Sequence, residues 1–65
     1  MRWTIYGINN SSYFDVRACE VAFSAKEKNE IVKAYREEFD LVDIDRESKD
    51  GNITKSNYAS YKRRK

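Results

Sequence analysis

One stretch of this chain is strongly helical, and it dictates what the rest can be. Ser24-Ala25-Lys26-Glu27 has the form of a capping box: a serine whose hydroxyl accepts from the third helical amide, and a glutamate that reaches back to the amide of the cap. Beyond it, Lys28, Ile31, Val32, Tyr35 and Phe39 recur at intervals of three and four and share one stripe. Lys26, Asn29, Glu30, Lys33 and Glu37 fall on the opposite side. A helix over about residues 25–38 follows, with one apolar face that needs something to cover.

The flanking sequence supplies it. Arg2-Trp3-Thr4-Ile5-Tyr6-Gly7-Ile8 is rich in β-branched and aromatic residues and reads as a strand. Asn9-Asn10-Ser11-Ser12 reads as a turn, and Tyr13 to Phe23 as a second strand. In that strand Cys19, Val21 and Phe23 fall on one face, with Val16, Ala18 and Ala22 around Glu20 on the other. The short connection points to an antiparallel hairpin. After the helix, Asp40 to Glu47 alternates, with Val42 and Ile44 on one side and Leu41, Asp43, Asp45 and Glu47 on the other. Asp50-Gly51 is a strong hairpin dipeptide. Residues 53–61 then return as a fourth strand or as a short C-terminal helix, since Tyr58 and Tyr61 suit either. The expected fold is α+β: an antiparallel sheet of three to four strands with one amphipathic helix on one face, in the order ββαβ. Residues 1–61 form the expected domain, and residues 62–65 a frayed basic tail.

Size sets the stability problem. The chain has 65 residues, one cysteine and no histidine, so neither an internal disulfide nor a zinc site staples it. Good packing of its nine aromatic rings or association with a partner, including a second copy, must serve instead. No run is apolar and long enough to span a bilayer, and no leader opens the chain. A soluble, cytoplasmic protein is the expectation, with a lone cysteine suited to a reducing compartment. Asn10-Ser11-Ser12 and Asn52-Ile53-Thr54 match the glycosylation tripeptide and read as turn chemistry.

Catalytic equipment is scarce. Without histidine the common general base is missing, and so is the group that activates serine or cysteine. Cys19 reads as a buried core thiol, and the chain as no enzyme. Asp43-x-Asp45-x-Glu47 resembles a calcium loop only in its opening. The glycine required at the sixth position and the glutamate at the twelfth are replaced by Ser48 and Thr54. No cofactor and no metal site is expected.

Charge is sorted along the chain. Residues 37–50 hold seven acids and two bases, whereas residues 51–65 hold five bases and no acid. In a strand, Asp43, Asp45 and Glu47 stand about 6.8 Å apart on one face, a spacing like that of successive phosphates. With Glu38 and Asp40 nearby, and Tyr13 as an aromatic anchor, this surface suits an inhibitor or modulator that mimics nucleic acid. It would dock on a larger protein or nucleoprotein complex with a basic surface. Such compact chains are expected of viruses or mobile elements. The alternative is a nucleic-acid-binding module built from Lys55, Tyr58, Tyr61, Lys62, Arg63, Arg64 and Lys65, with Trp3, Tyr6 and Tyr13 as a ring platform. A structural subunit of an assembly is the third reading.

Overall fold

The computed structural model describes residues 1–9 and 15–61. Its elements run β1 (Arg2–Ile8), β2 (Val16–Ala22), α1 (Ala25–Glu38), β3 (Leu41–Glu47) and β4 (Ile53–Ala59). The strands form one sheet in the order β2-β1-β3-β4, every neighbouring pair antiparallel. The fold is the small α+β layer pair expected, and residues 53–59 are strand rather than helix. The proposed tail at Lys62, Arg63, Arg64 and Lys65, and the proposed anchor Tyr13, lie outside the described residues.

The strand order has a consequence that alternation alone does not reveal. Both β2 and β3 pair with β1, so they run parallel to each other with β1 between them. The helix is the crossover that spans this central strand. Fourteen helical residues cover about 21 Å and seven strand residues about 24 Å, so helix and sheet match in length.

Register separates the two faces of the sheet. Ile5 lies opposite Glu20 and Ile44, and Gly7 opposite Ala18 and Val42. These residues point towards the helix. The core joins Ile5, Ala22, Val42 and Ile44 to Val32, Tyr35 and Phe39, with Trp3, Ala18 and Ile31 packed against it. The helical stripe is therefore the buried one. Tyr35 and Phe39 meet edge to face at 5.2 Å. Gly7 makes room for this packing: a Cβ there would stand 2.4 Å from the Phe39 ring.

The N-cap forms with one change of partner. Ser24 Oγ accepts from the Glu27 amide at 3.1 Å, but the Glu27 carboxylate accepts from the amide of Phe23, one residue earlier than expected. The helix N-terminus is still tied to the chain before it, and Phe23 is left 70% exposed. The β3–β4 hairpin closes at residues 48–52, where the Ser48 amide donates to the Asn52 carbonyl. Gly51 takes φ +88°, a left-handed conformation that glycine adopts at no steric cost. Asp50 accepts from the Ser48 hydroxyl and from the Asn52 side-chain amide.

Two expectations about the second strand need correction. Cys19 is exposed, not buried. From Ala18 to Phe23 the two faces alternate as expected, but the helix covers the one bearing Ala18 and Ala22, whose small side chains allow its close approach. Val16 does not share that face in regular alternation, because the register shifts between Gly7 and Ile8. One step along β1 there answers two along β2, and Arg17 is the extra residue of the bulge.

Candidate functional site

With the helix on one side, the other side of the sheet carries no second layer among the described residues. Asp43, Asp45 and Glu47 project from this open face along β3, as alternation required. Tyr6 lies between Cys19 and Asp43 across the sheet, and Thr4 between Val21 and Asp45. Completing the rows on β4 are Ile53 opposite Glu47, Lys55 opposite Asp45, and Asn57 opposite Asp43.

The line of acids is real in position and much reduced in charge. Lys55 Nζ stands 3.0 Å from Asp45 Oδ1, and Arg2 Nη2 stands 2.6 Å from Glu47 Oε1. Only Asp43 forms no ion pair among the described residues. Three acids and two bases therefore share the strip. Lys55, which by sequence position belongs to the opposing basic segment, is the ion partner of the middle acid of the line.

Electrostatics follow from this pairing. Partial burial and then the neighbouring Asp45 charge raise the Asp43 carboxyl above its ordinary range, with Lys55 pulling the other way. The bond to Asp45, and its charge, hold the Lys55 ammonium on more firmly. Burial also raises the Tyr6 phenol, helped by Asp45. On the helix side, burial and then the bond to Glu20 raise Tyr35 far more; its hydroxyl donates to Glu20 Oε2 at 3.0 Å.

Glu38 and Asp40 do not extend the line. Glu38 ends α1 in the helix layer, on the other side of the sheet. Asp40 precedes β3, and its carbonyl accepts from the Ser60 amide. The ring platform does not assemble either. Trp3 points towards the helix, where Lys28 Nζ sits 6.0 Å from its ring centroid, while Tyr6 lies on the open face. Residues an odd number apart on one strand face opposite ways, so this outcome was available from the spacing.

Tyr58 and Tyr61 have a partner that the sequence did not suggest. The Arg36 guanidinium lies 5.2 Å from the Tyr58 ring and 4.0 Å from the Tyr61 ring. Its Nε donates to the Ala59 carbonyl at 2.8 Å and its Nη1 to the Tyr61 hydroxyl at 3.3 Å. In return, the Arg36 carbonyl accepts from the Tyr61 amide and the Ser60 hydroxyl. That carbonyl belongs to the last helical turn, where no intrahelical donor remains. The chain after β4 thus caps the helix from outside. The only hint was a basic residue in the final turn, and recognising it needed the register of β4.

Among the described residues, no cluster of three or more His, Cys, Asp or Glu side chains is placed to hold a metal ion. No helix among them is long and apolar enough to cross a membrane. Comparison with protein-family models, with curated proteins and with solved structures finds no match. Fold and surface together define a small α+β domain with one sheet face left uncovered by the described residues.

Proposed function

We propose that the protein is a non-enzymatic interaction module, an inhibitor or modulator that docks through the open face of its sheet on a basic surface of a larger protein or nucleoprotein complex. The observation that carries this reading is the alignment of Asp43, Asp45 and Glu47 along a central strand, with nothing layered over them among the described residues. A rigid four-strand sheet holds their spacing, so binding orders little further chain.

The ion pairs refine how such docking works. A partner's lysines and arginines would take the places of Lys55 and Arg2 on Asp45 and Glu47. Both internal cations sit on long side chains that are 70% and 54% exposed. Exposed pairs of this kind contribute little to stability, so exchanging them costs the fold little. Asp43 offers its charge directly. Thr4 and Tyr6 supply neutral contact area beside the line.

The test begins with capture of the partner from the native host by the tagged protein, followed by titration of that purified partner. Reversal of two charges in Asp43→Lys/Asp45→Lys is expected to weaken binding tenfold or more at low salt while the domain stays folded. Unchanged affinity in the folded variant contradicts the proposal.

A further inference from the structure

We propose a second binding surface, of the opposite charge: the strip between α1 and the outer edge of β4 is a shelf for single-stranded nucleic acid. Register places Thr54, Ser56 and Tyr58 on the helix side of β4, opposite Arg46, Ile44 and Val42. The helix packs on β1, β2 and β3, and this outer row remains exposed. The row is a floor of two hydroxyls and a ring at steps of about 6.8 Å.

Cations stand along the inner side of that floor, towards β3 and the helix. Arg46 is exposed beside Thr54. Arg36 reaches down from the helix onto Tyr58 and Tyr61. Lys33 and Asn29, three and seven residues before Arg36, share its side of the helix. The opposite flank, over β2, carries Glu27, Ile31 and Glu38. Glu30 and Glu37 lie on the outer crest beside Lys33, so the bases nearest β4 are Arg36 and Lys33, and the acids occupy the crest and the β2 flank.

Pairing distinguishes this strip from the open face. Among the described residues, Lys33, Arg36 and Arg46 form no ion pair. Arg36 spends its bonds on a carbonyl and a phenol, and Arg46 directs its Nε to the Met1 sulfur at 3.1 Å. None of these contacts cancels a positive charge. The shelf therefore keeps its field, and polyanion binding is the complementary use of it.

The rings select the kind of polyanion. Tyr58 and Tyr61 are 38% and 54% exposed, and the guanidinium between them holds both in place. Exposed tyrosines beside cations stack unpaired bases while the cations take the phosphates. A duplex keeps its base faces inside the helix and offers only phosphates, so a single strand uses more of the shelf. Thr54 and Ser56 supply neutral donors to the same backbone.

Fluorescence anisotropy of the full chain with labelled oligo(dT) and oligo(rU) of about twelve nucleotides, and with a duplex of equal length, tests this at two salt concentrations. Salt-sensitive binding that prefers the single strands is expected. Lys33→Glu/Arg46→Glu, both at exposed positions, should lower affinity tenfold or more. Tyr58→Ser should reduce the preference for single strands, and a chain ending at Tyr61 should retain it. Circular dichroism checks each fold, with Lys33→Gln/Arg46→Gln as a milder pair if charge reversal unfolds the protein. Equal affinity for duplex, wild-type binding by the folded double variants, or loss of all binding on removing residues 62–65 alone would overturn the proposal. Competition by polyglutamate at equal charge would do so too, by reducing the shelf to a general anion site. The open-face reading uses other residues and stands or falls separately.

Discussion

The open face of β3 and the helix-side shelf of β4 lie on neighbouring strands and differ in one respect that decides their use. On β3 the charges are numerous and mostly paired. On the shelf they are fewer, and they face rings, carbonyls and sulfur in place of carboxylates. The chain as written has an acidic block followed by a basic one. Folding does not keep those blocks apart, because the β3–β4 hairpin sets Lys55 directly across from Asp45. Arg2, from the opposite end of the chain, does the same for Glu47. The field of this protein comes from what its charges meet across the sheet, and their order in the sequence is a poor guide to it.

The largest effect expected is on the support of both surfaces. Gly7→Ala puts a methyl group into the Phe39 ring, so the C-terminal half of α1 must lift from the sheet. A loss of about 3 kcal/mol in urea unfolding is expected, near the upper end for overpacked cores. The shelf should suffer with it, since Arg36 rides on that half of the helix. A neutral result would mean that the helix is not seated as closely as the core requires.

Arg36→Ala attacks one region alone. It removes two ring contacts and the bonds to Ala59 and Tyr61, and leaves the open face untouched. A loss of about 2 kcal/mol is expected, from the sum of ring and hydrogen-bond contributions. Hydrogen exchange should rise at Ser60 and Tyr61 and stay constant at Asp43 and Asp45. Equal rises in both places would dissolve the distinction between the regions.

The smallest effect is electrostatic and has a definite sign. The Asp43 carboxyl binds its proton more tightly in the fold than in the unfolded chain, chiefly through burial. Its contribution to stability is therefore fully present below the ordinary carboxylate range, and is lost as pH rises through the raised value. Asp50 is shifted the other way by the Ser48 hydroxyl and the Asn52 amide; its contribution is present above the ordinary range and lost as pH falls through the lowered value. Carboxyl-carbon NMR should show Asp43 titrating above Asp50. Asp43→Asn should remove the first dependence and leave the protein at least as stable at pH 7. Reversed order would mean that Lys55 and Arg2 dominate the open face more than the pairing implies.

Much of the fold could be read from the sequence, and the reasons are local. The capping box and the Ile31-Val32-Tyr35-Phe39 stripe specify the helix, and strict alternation specifies β3. Asp50-Gly51 marks the hairpin that yields β4. What was illegible is non-local. Nothing in the order of residues says that β3 would pair with β1, so neither the Arg2–Glu47 contact nor the neighbours of Tyr6 were visible. The face of β2 chosen by the helix depends on how closely two layers can approach. Cys19 was misplaced for that reason. For the candidate site, alternation placed Asp43, Asp45 and Glu47 on one face, but their neutralising partners came from strand pairing. Arg36 was hidden for the same cause, since its rings lie on β4 and beyond.

The central claim is that pairing, and not sequence position, sets the local field. Paramagnetic relaxation of backbone amides by cationic and anionic nitroxide probes measures that field residue by residue. The account predicts enrichment of the anionic probe at Lys33, Arg46, Thr54 and Ser56. It predicts a negative potential confined to the vicinity of Asp43, with values near neutral at Asp45 and Glu47. A uniformly negative potential from Asp43 through Glu47, with no positive field over Thr54 and Ser56, would contradict it.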